Sequence, residues 1–321
     1  MLHVQRQFAH LLTTVVCPSL VLACSSSNPT PDAIPDRDFA AHPAIRVVAT
    51  PAEKTWVLSD VHGGFDRLVT LLQGQGLMDA NNAWTGGSAR LYVLGDMIDK
   101  YKGGLATIRL LRALQPSAAA AGGEVVVTMG NHEAEFLADP ENDKAGPFLF
   151  DLISDGIDPA KVASGEHEVG LWIRDLPFGI KDGDWFFSHA GNTGVRSVEA
   201  LNAAIQADVE LNKFGAEELL GPSSLLESTL WWQTSDPVGT VEPMLAALPA
   251  KHIAFGHDPG ALADHGSLGV LVGGLIFPVD VGMSPAIDYS NGALLLIERG
   301  ASGTVVSAAF PQGEPAMIFQ E

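Results

Sequence analysis

The chain has 321 residues, 46% hydrophobic and 17% charged, which is enough to bury a substantial core. A formal net charge of −20 excludes nucleic acid as a partner, because phosphate backbones are held by clustered Lys and Arg. The same charge would repel a small anionic substrate unless bound cations reverse the field locally.

Met1 to His10 carries Arg6 and no acidic residue, and Leu11 to Ala23 is a short apolar stretch broken by Pro18. It is too short to span a bilayer as a helix and has the build of a signal peptide over residues 1–23. Its end, Leu20-Val-Leu-Ala23-Cys24-Ser25, resembles a bacterial lipobox. That resemblance implies cleavage before Cys24, lipidation of its thiol, and a place in the bacterial envelope, at the outer membrane or periplasmic face. Cys17 would leave with the signal, so the mature chain would have no disulfide and no thiolate metal site. Residues 24–44, rich in Ser, Pro, Asp and Ala, read as a flexible tether, and 45–321 as the folded domain.

The domain opens with a strand-like run at Ile45, followed by a buried strand at Thr55–Ser59. Phe65–Gln75 is expected to be helical, with Phe65, Leu68, Leu71 and Leu72 on one face and Gly76 closing it. A strand at Leu91–Leu94 precedes a helix from Leu105 to Leu114 that Pro116 should stop. Glu124–Met129 is a β-branched strand. This alternation gives two βαβ units and a parallel sheet, with ligands expected beyond the strand ends. Residues 134–182 read as a helical insertion. Asp184–Ser188, His252–Phe255, Leu268–Val272, Leu275–Val279, Ala293–Glu298 and Thr304–Ala309 are further strand candidates, enough for a second sheet packed on the first.

Polar motifs close several of the apolar runs: Ser-Asp60-Val-His62-Gly, Gly-Asp96-Met-Ile-Asp99, Gly-Asn131-His132-Glu, Ser-His189-Ala-Gly and Gly-His257-Asp. Asp60 and His62, two apart in an extended segment, would share a face and grip one cation. Asp96 would bridge it to a second, completed by Asn131, His189 and His257. Oxygen and imidazole donors without sulfur suit Mn, Fe or Zn, as divalent or trivalent ions. Two such cations clamp a phosphoryl group and activate a bridging water. Asp99 with His132 would protonate the leaving oxygen.

These five blocks, in this order, resemble the calcineurin-like metallophosphoesterase superfamily over roughly Ile45 to Ile297. Gly-Asn-His-Glu and the lone His257, with Pro259 two residues on, are similar to its phosphoprotein-phosphatase branch. Ser59-Asp-Val-His-Gly and Val279-Asp280-Val-Gly-Met-Ser284 are similar to bacterial, Shewanella-like members. The resemblance implies an α/β fold, a four-layer α/β/β/α sandwich of two mixed sheets with the dimetal site at one edge. It implies Asp60, His62 and Asp96 on one metal, Asp96, Asn131, His189 and His257 on the other, and His132 with Asp99 as the proton-donor pair. Hydrolysis by attack of a metal-bridging hydroxide would follow, on a phosphorylated small molecule or phosphoprotein. Asn131, Lys100 and Gln233 fall at substrate-binding positions. The last two stand where the branch has arginines, so the resemblance implies an intact metal core beside a weakened oxyanion clamp.

Two alternatives stand beside phosphatase action. One is a phosphodiesterase or nucleotide pyrophosphatase on the same metal core; the other is a non-catalytic metal-binding lipoprotein, against which Asp99 and His132 speak. Asp139-Pro-Glu-Asn-Asp-Lys144 and Glu166-His167-Glu168 read as solvated surface, and Trp231 and Trp232 as core or a substrate wall.

Overall fold

The computed structural model describes residues 37–321; the expected signal segment, Cys24 and the tether up to residue 36 lie outside the described residues. Short apolar runs form eleven strands among the described residues. They are β1 (Ile45–Val48), β2 (Lys54–Leu58), β3 (Arg90–Val93), β4 (Glu124–Val127), β5 (Gly179–Asp182), β6 (Trp185–Ser188), β7 (His252–Phe255), β8 (Ile276–Pro278), β9 (Leu294–Gly300), β10 (Gly303–Ala309) and β11 (Ala316–Gln320). One sheet has the order β11-β10-β9-β2-β3-β4, the other β1-β5-β6-β7-β8.

The helices are α1 (Phe65–Gly74), α2 (Gly104–Ala120), α3 (Asn131–Ala138), α4 (Gly146–Ser154), α5 (Pro159–Ser164), α6 (Glu168–Arg174), α7 (Val198–Asn212), α8 (Glu217–Leu220) and α9 (Pro237–Ala247). α2 packs on β4 and α1 on α2, while α7 lies against β1. The sheets meet face to face where Tyr92 of β3 sits edge-on to Phe187 of β6, ring centroids 5.0 Å apart. This is the α/β/β/α sandwich. Strands covered on both faces need apolar residues at successive positions rather than alternate ones, which explains the unbroken Val-Val-Val of β4 and Trp-Phe-Phe of β6.

Register decides where the site falls. β2, β3 and β4 are parallel and end level, Leu58 beside Val93 beside Val127. β6, β7 and β8 are parallel too, ending at Ser188, Phe255 and Pro278. The segments leaving these six ends converge on one edge of the sandwich.

Several sequence expectations change. Helix α2 runs through Pro116 to Ala120. Pro116 is on the exposed side, where water can take the carbonyl that proline leaves unbonded, and fully buried Ala118 keeps the stripe of Leu111 and Leu114 going. Leu268–Val272 is not a strand: Leu271 makes a single bridge to Ile276, and Val272–Gly274 is a short 3-10 turn. Strands β5 and β11 and helix α7 were not anticipated. The last three strands do not extend the second sheet, because β9 pairs antiparallel with β2, Trp56 opposite Leu296. Residues 37–44, assigned to the tether, lie against the body. The buried Arg37 guanidinium donates to the carbonyls of Arg174, Leu176, His42 and Pro43. No helix among the described residues is long and apolar enough to cross a membrane.

Candidate metal centre

Six site residues sit in the left-handed backbone region: Asp60 (φ 55°), His62 (42°), Asp96 (53°), Asp99 (65°), Lys100 (53°) and His257 (69°). Each such residue costs about 1–3 kcal/mol, and such strain persists only where surrounding bonds over-determine it. Here they do. Asp60 N–H donates to Gly95 O at 3.2 Å and His62 N–H to Asp96 O at 2.8 Å, so the turn after β2 is stitched to the turn after β3. Asp60 and His62 therefore converge through two left-handed residues, not through the extended segment expected from their spacing.

Glycines explain the rest of the approach. A Cβ on Gly130 would lie 2.1 Å from Asp96 Oδ1, and one on Gly256 would lie 1.8 Å from Ser59 Oγ and 2.3 Å from Asp60 Oδ2. Only hydrogen fits at either place, so the Gly-Asn and Gly-His pairs are steric requirements of the cluster. Asn131 begins α3, and the His132 N–H at this helix start donates to Asp96 Oδ1 at 3.1 Å.

The centre is Asp96. Its Oδ2 lies 3.2 Å from His62 Nε2, 3.3 Å from His189 Nε2 and 3.9 Å from His132 Nε2. The Nδ1–H groups of His62 and His189 donate to Ile98 O at 2.8 Å and Leu94 O at 2.7 Å. This orientation aims each Nε2 at the carboxylate, as in imidazoles that hold metals. His189 Nε2 is also 3.0 Å from Asn131 Oδ1 and 3.2 Å from His257 Nδ1. Asp60 Oδ1, buried and without a hydrogen-bond partner, stands 3.6 Å from His62 Nε2. Its Oδ2 accepts from Ser59 Oγ and from the His257 N–H at 2.8 Å.

Two groups of donor atoms lie within 4.8 Å of one another: His62, Asp96 and His132, and Asp96, His189 and His257. Asp96 belongs to both. Carboxylates and imidazole nitrogens converging in a buried space repel one another unless cations or protons sit between them, so the donor set and the orphaned Asp60 oxygen fit divalent metal. Protons show the same demand. Burial lowers His62 and His189, but the Asp96 carboxylate overrides it and raises them to about 10 and about 9. Burial also raises Asp60, yet His189 and His62 bring it down to about 2.

His132 and Asp99, expected from sequence to act as a pair, are brought together: His132 Nδ1 and Asp99 Oδ2 are 2.8 Å apart, both buried. Burial, helped by Asp96, raises Asp99 to about 7, and burial lowers His132 to about 4. His132 lines a cavity of about 490 Å³ over the cluster.

That cavity is also lined by Asp96, Lys100, Asn131, His257, Lys144 and Glu227. Lys100 Nζ is 2.7 Å from His62 Nε2. Gln233 is not brought in: it is exposed, outside the lining, with its backbone N–H bonded to Leu230 O. Trp232 is core, and Trp231 donates to Ala190 O at 2.8 Å; neither lines the cavity.

The sequence reading missed four contributors. Glu133 accepts the N–H groups of Asp96, Met97 and Gly130 at 2.7–2.9 Å. Buried Asp280, at the end of β8, is held well above the usual carboxylate range by burial and by Asp60. Lys144 and Glu227 reach the cavity from loops read as surface or left unassigned. Glu133 and Asp280 stood in quoted motifs without an assigned role, and polar loop composition concealed Lys144 and Glu227.

The calcineurin-like phosphoesterase family model matches residues 53–261. Shewanella-like protein phosphatase 2 of Arabidopsis thaliana is 32% identical over 81 residues, 25% of this chain and 21% of that protein. The symmetrical bis(5'-nucleosyl)-tetraphosphatase of Dechloromonas aromatica (strain RCB) is 27% identical over 137 residues, 43% of each. The chain thus spans well under half the length of these curated relatives. The cold-active protein-tyrosine phosphatase of a psychrophilic Shewanella sp. superposes with TM-score 0.67 at 21% identity, covering 86% of this chain and 82% of that one, a likeness of fold. With the matched region spanning β2 to the segment after His257, the chain belongs to the calcineurin-like phosphoesterase family.

Proposed function

We propose that this protein hydrolyses phosphate esters at a pair of metal ions that share Asp96. One observation carries the reading: a single buried carboxylate is common to two convergent donor groups. Asp60, His62 and Asp96 would hold one ion, and Asp96, Asn131, His189 and His257 the other; His132, which also falls in the first donor group, is left as proton donor by its bond to Asp99. Bound there, the ions supply Lewis-acid polarisation of the phosphoryl group and an activated water, and they offset the −20 charge that would otherwise repel the substrate. The donors suit Mn, Fe or Zn.

The chain's own residues do the rest. His132 lines the cavity while its Nδ1 is tied to Asp99, which would leave Nε2 to deliver a proton to a leaving oxygen. Asn131 has its amide at the cavity wall. Lys100 Nζ lies 2.7 Å from His62 Nε2, so a metal ion held by that ring would repel the ammonium.

The Asp99–His132 pair favours catalysis over mere metal binding. Phosphatase action is supported by the names of the matched relatives; a phosphodiesterase or nucleotide pyrophosphatase on the same residues is the second reading, favoured by the lack of arginine at positions 100 and 233. The lipobox-like Leu20 to Cys24 supports attachment to the bacterial envelope through Cys24. Phosphomonoesters, phosphodiesters, dinucleoside polyphosphates and phosphopeptides assayed with Mn, Zn and Fe test the proposal. Metal-dependent release from one class is expected, and no turnover of any class by protein carrying both ions would refute it.

A further inference from the structure

Substrate phosphate oxygens that do not reach the metals need a donor of their own, and the described lining of the cavity contains no arginine. Its two cations are Lys100 and Lys144. Lys100 Nζ sits 2.7 Å from the Nε2 of His62, a ring that also faces Asp96 and is assigned to metal. Lys144 is placed differently. It lies on the loop between α3 and α4, with its side chain about half exposed, and it binds one oxygen of Glu135 on α3.

Three features make this lysine a built element of the site. Its backbone is fixed: the Lys144 N–H donates to Asn142 Oδ1 at 2.9 Å, and Asn142 itself is anchored on Asp139. Its anchor is half-buried: Glu135 is 18% exposed, and its buried Oε2 has no hydrogen-bond partner. A second acidic neighbour, Glu227, lines the same cavity, and its N–H donates to Ser224 Oγ at 3.1 Å. An ammonium has three donors. One on Glu135 leaves two for incoming oxygens, while that ion pair holds the chain at the rim.

We propose that Lys144 is the phosphate-gripping cation of this site, with Glu135 as its positioning residue, taking the part that arginines at positions 100 and 233 would otherwise play. This rests on the reading of the site as a phosphoesterase. An ammonium contacts oxygens singly rather than in a fork, so the ligand class is a phosphate group presenting one oxygen toward the α3–α4 loop.

The test uses full-length protein loaded with metal, inorganic phosphate as the binding probe and nitrophenyl phosphate as substrate. Lys144→Gln should weaken phosphate binding and raise KM by about 10- to 100-fold, the range for one lost charge-assisted hydrogen bond, with a smaller change in kcat. Metal content should be unchanged, and Lys144→Arg should restore most of the affinity. Glu135→Gln should weaken phosphate binding less than Lys144→Gln does. Parental phosphate affinity and KM in a folded Lys144→Gln protein would overturn the assignment while leaving the phosphoesterase reading intact. A parent protein that neither binds phosphate nor turns over an ester would overturn both.

Discussion

The Glu133 carboxylate holds Asp96 from behind: its Oε2 accepts the Asp96 N–H at 2.9 Å, and its Oε1 accepts the neighbouring Met97 N–H at 2.7 Å. The same Oε2 takes the N–H of Gly130, so one side chain ties the turn after β3 to the start of α3. That bracket explains how Asp96 keeps a left-handed backbone at the centre of the cluster. Burial, with Asp96 adding to it, raises Glu133 to about 7.

Glu133→Gln keeps the shape and gives up one of the two acceptor oxygens. At least one buried N–H then lacks a partner, which costs about 1–3 kcal/mol. A lower melting temperature and weaker metal affinity are expected together, seen by calorimetry and metal titration. A melting change with metal affinity untouched would confine Glu133 to folding.

His132→Asn should leave metal content near the parental value while slowing alkyl phosphates by about 10²-fold or more. Nitrophenyl esters, whose leaving group needs no proton, should lose less. Equal losses on both would argue against proton delivery by His132.

Metal binding should grow weaker as pH falls. With Asp96 holding His189 protonated up to about 9 and His62 up to about 10, an entering cation must displace those protons. Below those values apparent affinity should fall by up to about tenfold per pH unit for each proton displaced. Calorimetry in buffers of different ionisation enthalpy would read the proton count directly; zero protons released at pH 7 contradicts the assignment of these rings as ligands.

Cys24→Ser should leave the precursor uncleaved or release the protein from membranes, since a lipid on that thiol is the proposed anchor. Normal processing and membrane fractionation in the variant would remove the lipoprotein proposal.

The strands that carry the site were legible because β2, β3, β4, β6 and β7 are buried on both faces and read as continuous apolar runs ending in polar motifs. β5 was hidden by its composition: Gly-Ile-Lys-Asp looks like a turn, yet Asp182 is buried, accepting the Tyr92 hydroxyl at 2.9 Å. The end of α2 was misjudged because a proline signal is local, whereas the Ala118 contact that overrides it is tertiary. Asp60, His62, Asp96, Asn131, His189 and His257 were each placed at a strand end by motif alone. Lys144 was not, since nothing in Asp139 to Lys144 marks which loop side chain turns toward Glu135. Gln233 was drawn in by motif position, and it points elsewhere because its segment leaves the edge as an exposed turn before α9.

A carboxylate shared by two metal ions cannot be replaced without loss at both. Elemental analysis of purified protein and of Asp96→Asn, each checked for folding by circular dichroism, tests it most directly. Two ions per chain are expected in the parent, and in a folded Asp96→Asn protein loss of at least one ion with nearly all phosphoesterase activity. Two ions per chain and full activity in Asp96→Asn would contradict it.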